Sequence, residues 1–213
     1  MSYSRNKFDQ LIPSYIIDLL PKQKRGISRD TITVYKEENV DLQIMYEKFK
    51  KRLQKVNQWV DYTSVTNLDF KILNSEEFLI NREVKIGDLI KIQMNQKRQI
   101  PIIGKMMSDW VYVNEIIEFD NNDERFYSLQ LIPVESPNLD EIKHFYNEMA
   151  SNTFILYQNK NFVSLSIHGR NEFPNLISKS RFRIIRNIMI ANLSLIGIDN
   201  FLWNNFATNL LKP

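Results

Sequence analysis

The feature that most constrains this chain is the alternation of apolar and polar residues from 66 to 133. The segments "TNLDFKIL", "EFLINREV", "DLIKIQM", "DWVYVNEIIEF" and "RFYSLQLIPV" follow one another with turn residues between them. A period of two sends successive side chains to opposite sides, the pattern of a strand with one face in a core. Strands this close in sequence are joined most simply as antiparallel neighbours. "VKIGDLI" places Gly-Asp where a turn or bulge is wanted, and "DNND" (120–123) makes a hairpin loop. Its carboxylates lack the spacing and the glycine of a calcium loop.

A second hairpin is expected in "TFILYQNKNFVSLSIHG", turning at Asn159 and Lys160. That turn sets Tyr157 opposite Phe162, Leu156 opposite Val163 and Phe154 opposite Leu165. Val163, Leu165 and Ile167 then share a buried face with Phe154 and Leu156, while Ser164, Ser166 and His168 point the other way. "TITVY" (31–35) predicts a further strand. Helices are expected around 41–60, from a cap at Asn138, over 176–196 between Asn175 and Gly197, and over 200–211. In the first, Met45, Phe49, Val56 and Val60 line one side, and Lys48, Lys51 and Lys55 form a solvated face.

This element order predicts an α+β protein, a curved antiparallel sheet or partial β-barrel closed by helices at both sequence ends. With the 176–196 helix across the sheet it resembles, in layout alone, a helix-grip arrangement. Residues 1–30 form an arm and linker, and 31–213 a single α+β domain.

Several chemistries lose their warrant here. The chain has no cysteine, and its two histidines, His144 and His168, are far apart. Metal sites are therefore not expected. Gly-rich phosphate loops and the G-x-S-x-G elbow are absent, so neither a cofactor nor a catalytic residue is assigned. Ser166 and His168 share a face, but two positions along a strand are read as too distant for a serine–base hydrogen bond. No secretion signal or apolar run of membrane-spanning length is present, which predicts a cytoplasmic protein without a membrane partner. Trp59, Trp110 and Trp203 fall at core-like spacing, so nucleic acid is not an expected partner.

Charge is segregated. Residues 47–55 carry five cations against Glu47, and 115–148 carry nine acids against Arg125 and Lys143. The arm holds the apolar Phe8, Leu11, Ile16 and Leu20, expected to be buried either on the chain's own domain or on a partner or second copy. The 94–110 segment offers Lys97, Arg98, Ile102, Ile103, Met106 and Met107, adaptable groups suited to a contact. These features predict a non-catalytic interaction protein, a subunit, adaptor or inhibitor-like partner or a homo-oligomer, with part of the acidic stretch meeting a basic face.

The alternative lies in "SIHGRNEFPN" (166–175). His168, Arg170 and Glu172 stand at a strand-to-helix corner, followed by Arg181 and Arg183 in the helix. A helix start with a guanidinium beside it favours a small anion, phosphate or carboxylate, so a binding domain or enzyme for such a ligand is the second reading. In the simpler reading Gly169 turns the chain off the strand, and Arg170 and Glu172 hold the corner.

Overall fold

The computed structural model describes residues 11–63, 68–94, 108–121, 123–135, 137, 149–172 and 198–213. Seven strands form one sheet: β1 (Ile27–Tyr35), β2 (Leu68–Leu73), β3 (Leu89–Met94), β4 (Ser108–Asp120), β5 (Arg125–Pro133), β6 (Ser151–Gln158) and β7 (Val163–Glu172). Their spatial order is β1-β7-β6-β5-β4-β3-β2, and every neighbouring pair is antiparallel. β1 and β2 occupy opposite edges, so the sheet is curved and unclosed rather than a barrel. Register breaks at Val113/Glu115 and Ile27/Arg29 add local bends. The fold is α+β, with short α1 (Ser14–Ile17), α2 (Leu42–Gln54), a 3-10 helix (Val56–Tyr62) and α3 (Ile198–Leu210). The helices expected at 138–148 and 176–196, and with the latter the helix-grip comparison, lie outside the described residues.

One face of the sheet carries the main core. Asp41 caps α2, its carboxylate accepting from the N–H groups of Gln43 and Ile44. Met45, Tyr46, Phe49 and Leu53 then repeat at helical spacing and are buried, leaving Lys48, Lys51 and Lys55 exposed. Trp59, with no exposed surface, packs its ring 5.0–5.4 Å from those of Phe70, Phe154 and Phe206. Its indole N–H donates to the Leu53 carbonyl at 3.0 Å, which resolves the one polar group it buries. Trp110 is buried as well, and Trp203 is half-buried against the same cluster, so the tryptophans serve packing.

Two expectations needed correction. "EFLINREV" makes no strand beyond a single bridge between Leu73 and Leu79. The Asn74 carboxamide accepts from the N–H groups of Glu76 and Phe78, and Glu77 takes a positive φ of 61°. Further on, Arg82 grips Asp88 with two bonds of 2.7 Å, while Asp88 also accepts from the Lys85 N–H. These side-chain bonds offer the backbone an alternative to a ladder.

The β6–β7 hairpin pairs Leu156 with Leu165 and Phe154 with Ile167, two residues away from the expected register. Its loop spans four residues, because the Asn159 carboxamide accepts from the N–H groups of Asn161 and Phe162 and widens the turn. A slip of two preserves the faces, so the expected core face survives.

Candidate functional site

The other face of the sheet is divided. Toward one end it is apolar: Phe126, Ile155 and Tyr157 form a cluster with Ile12 and Ile16 of the arm, and Leu11, Ile17, Leu20, Ile32, Ile117 and Phe162 pack around it. Ile32 and Ile155 are the two cross-strand partners of Ser166, so this arm-bearing cluster borders that residue on both sides. Two fastenings hold the arm. Glu124 accepts from the hydroxyls of Tyr15 (2.6 Å) and Tyr157 (2.8 Å), and burial with this carboxylate pushes Tyr157 up to about 12. At the other end the Asn171 carboxamide accepts from Lys24 and Arg25 N–H groups and donates to the Lys22 carbonyl.

Beyond this cluster the face turns polar, buried on β5, β6 and β7 and exposed at Asp30 on the edge strand β1. Asp30, His168, Thr153 and Gln130 stand side by side across four strands. His168 and Thr153 are 1% and 2% exposed, and Ser164 and Ser166 have no exposed surface. Among the described residues the hydroxyls of Ser151, Thr153 and Ser164 have no hydrogen-bond partner. Ring nitrogens of His168 lie 2.6 Å from the Asp30 carboxylate (Nδ1) and 2.9 Å from the Ser166 hydroxyl (Nε2). The expectation that Ser166 and His168 are too far apart was therefore wrong. Same-face residues lean along the strand, and the long imidazole spans the remaining gap.

Protonation follows from these contacts. Burial would raise the Asp30 carboxyl, but hydrogen bonds from His168 and Arg170 outweigh it and hold Asp30 below its usual value. Burial lowers the His168 pKa, and the Asp30 carboxylate opposes this without cancelling it. A neutral imidazole donates from Nδ1 to Asp30 and accepts at Nε2 from Ser166, whose oxygen also lies 3.5 Å from the Ile155 carbonyl.

The corner residues are tied to β1. Arg170 meets Asp30 at 2.7 Å and donates to the Gly169 carbonyl at 2.8 Å; Glu172 meets Arg29 at 3.1 Å. The strand continues to Glu172, so Gly169 does not turn the chain as expected. Positive φ falls instead on Asn171 (54°) and on Gly26 (74°), where a Cβ would come within 2.6 Å of the Glu172 carbonyl oxygen. Gly169 is small because the Glu172 carboxylate folds over it. Thus His168, Arg170 and Glu172 are brought together; Arg181 and Arg183 lie outside the described residues. So do Phe8, Lys97, Arg98, Ile102, Ile103, Met106 and Met107, while Leu11, Ile16 and Leu20 pack within the chain.

Sequence reasoning missed Asp30, Ser151, Thr153 and Asn171. Alternation in "SRDTITVY" places Asp30 on the face of Ile32, which was a usable signal. The pairing of β1 with β7, 138 residues away at the Asp30–His168 contact, was not.

No protein-family model matches the sequence, and no curated protein matches it. Among solved structures, the chain aligns with a STAR-related lipid transfer protein fragment from Xanthomonas axonopodis at 8% identity, covering 90% of this chain and 98% of that one (TM-score 0.46). A protein from Arthrobacter aurescens aligns at 9% identity over 90% and 92% of the two chains (TM-score 0.40). The major latex-like protein 151 of Panax ginseng aligns at 13% identity over 80% and 96% (TM-score 0.33). One of the three is named for ligand handling and none for an adaptor role; likeness at this level assigns no function.

The interaction-protein expectation is corrected by the chain's own contacts. Its arm is folded onto the chain's own sheet. Its acidic stretch meets the basic helix within one chain, through Lys50–Glu118 at 2.7 Å, while Arg125 pairs with Glu47 of that helix at 3.3 Å. Among the described residues no helix is long and apolar enough to cross a membrane, and no group of acidic, histidine or cysteine residues could hold a metal ion.

Proposed function

We propose that this protein is a binding domain for a small organic molecule, held on the polar part of the arm-bearing face of the sheet. The observation that carries the reading is the set of three buried hydroxyls on this face, on Ser151, Thr153 and Ser164, that have no partner among the described residues. A buried hydroxyl without a hydrogen bond costs about 1–3 kcal/mol. Ser151 and Thr153, two positions apart on one face of β6, are accounted for if a hydroxyl, carbonyl or carboxyl group of a ligand meets them. Ser151 and Thr153 are the β6 partners of Arg170 and His168, and Ser164 lies two residues before Ser166 on β7, so all three border the Arg170–Asp30–His168–Ser166 chain, which fixes the surrounding polar groups.

The charge of the surroundings favours an uncharged or weakly acidic molecule. Arg170 already faces Asp30, and Arg29 already faces Glu172, so each cation has a carboxylate within 3.1 Å. A phosphate version of the reading needs Arg170 to leave Asp30 and draws on Arg181 and Arg183.

Native mass spectrometry of the purified full chain tests the reading, with small molecules identified after denaturation. A co-purified molecule, or an added polar metabolite that raises the melting temperature, is the expected result, weakened in Ser151→Ala/Thr153→Val. A chain that carries nothing and responds to no member of a polar metabolite library contradicts it.

A further inference from the structure

Ser166, His168 and Asp30 have a polarity that ligand binding alone does not require. The Ser166 hydroxyl points at a neutral imidazole nitrogen 2.9 Å away, and the other nitrogen is held at 2.6 Å by a carboxylate. Arg170, 2.7 Å from the same carboxylate, keeps it ionised and in place. A nucleophile, a base and a group that orients the base are thus in sequence at working distances. One of the partnerless hydroxyls, that of Thr153, lies diagonally across from Ser166 on β6, on the same face. Side-chain O–H groups can stabilise a developing oxyanion when they are unengaged and aimed at it.

From this juxtaposition we propose that Ser166 is an acyl-accepting nucleophile, with His168 as its base, Asp30 as the group orienting His168, and Thr153 as an oxyanion donor. The proposal deepens the ligand-binding reading by naming the ligand class, an ester. The Ser166 proton passes to His168 Nε2 as the oxygen attacks the ester carbonyl carbon. Collapse of the tetrahedral adduct breaks the bond to the alkoxy oxygen, which leaves as an alcohol with the proton from His168. Water attacking the acyl-serine by the same route returns the hydroxyl and releases a carboxylic acid.

Access is the controlled step. Ser166 has no exposed surface, and both of its cross-strand neighbours, Ile155 and Ile32, belong to or pack against the apolar cluster that includes the arm residues Ile12 and Ile16. Reaction therefore waits on the arm lifting from the sheet. Tyr15, whose hydroxyl is bound to Glu124, is the exposed end of that fastening.

The test uses the full chain with an alkyl fluorophosphonate, which phosphonylates activated serines with loss of fluoride, read by intact mass and peptide mapping. Slow modification of Ser166 in the wild type is expected, faster by about tenfold or more when Ile16→Asp loosens the arm. Asp30→Asn, close in shape, should slow it by about 100-fold, and Ser166→Ala should abolish it. Circular dichroism and melting curves establish that each variant is folded; should Ile16→Asp unfold, Tyr15→Phe serves to loosen the arm. No adduct on Ser166 with the arm loosened, or an adduct equally fast in Asp30→Asn, overturns the proposal. Native mass spectrometry with a non-hydrolysable ligand reports on binding separately. A chain that binds without phosphonylation loses this proposal alone, and a chain phosphonylated without retaining any small molecule loses the binding reading alone.

Discussion

On one face of the sheet, Phe154, Leu156, Leu165 and Ile167 press against α2, the 3-10 helix and α3. On the other, the same two strands turn Thr153, Ile155, Ser164, Ser166 and His168 toward the arm's side, where they are equally buried. Burial alone does not distinguish the faces. What differs is the balance. The first removes mainly apolar area from water, although the Thr31 and Tyr127 hydroxyls there also lack a partner among the described residues. The second sets an apolar cluster beside a stretch of hydroxyls that gain no such partner. The larger apolar core lies on the first face, and the polar part of the second carries a cost that a function must justify.

The largest effect that could break this contrast is on the first face. Trp59 touches three aromatic rings and is wholly buried, so Trp59→Ala should cost about 3–5 kcal/mol. Urea unfolding measures it. A loss no greater than that from substitutions on the polar face would mean that the two faces do not divide the work as described.

The first face was also the part legible in the sequence. Alternation gave Phe154, Leu156, Val163, Leu165 and Ile167 a common side, and the side survived a register error of two because the strand period is two. The loop at 74–88 was misread because Asn74 and Asp88 bind backbone N–H groups more favourably than a ladder could, and composition does not announce that. On the second face the legible part was the polar character of Ser166, His168 and Arg170. Their partner was not legible, since Asp30 reaches them only through the pairing of the first and last strands, and no local pattern specifies which distant strands meet.

A smaller effect sharpens the account of the corner. Gly169→Ala places a methyl group against the Glu172 carboxylate, which Arg29 holds. Moving that carboxylate should cost about 1–3 kcal/mol, and the cost should shrink when Glu172→Ala is added. Thermal melts of the two single variants and the double variant check this; equal costs with and without Glu172 would show that the carboxylate is not what excludes the side chain.

Next in size is the response to acid. The folded-state pKa values of His168 and Asp30 are both below their ordinary values, through burial for His168 and through hydrogen bonds overcoming burial for Asp30. In each case the unfolded chain binds its proton first on acidification. The His168 contribution is therefore complete above about pH 6.5 and declines as pH falls toward its folded pKa; that of Asp30 declines only below about pH 4. The melting temperature should fall between pH 7 and pH 5, and His168→Gln should flatten that interval while leaving the fall below pH 4. A wild-type profile flat from pH 7 to pH 5 would remove the buried neutral imidazole from the account.

The smallest change is expected at Thr153, and it divides the faces most sharply. Thr153 is 2% exposed, lies opposite His168, and its hydroxyl has no partner among the described residues. Valine matches its shape and removes only the hydroxyl. Were Thr153 part of an optimised core network, losing that group would cost about 1 kcal/mol, the ordinary contribution of a hydrogen bond. With no bond to lose, Thr153→Val should instead be neutral or stabilise the ligand-free chain by up to about 1 kcal/mol, because an unsatisfied buried group disappears. The same substitution should weaken small-molecule binding. Equilibrium unfolding without ligand, paired with a melting-temperature shift in its presence, reads both quantities on one variant. Destabilisation of the ligand-free chain would show that the hydroxyl has a structural role, and the contrast between the two faces would lose its strongest support.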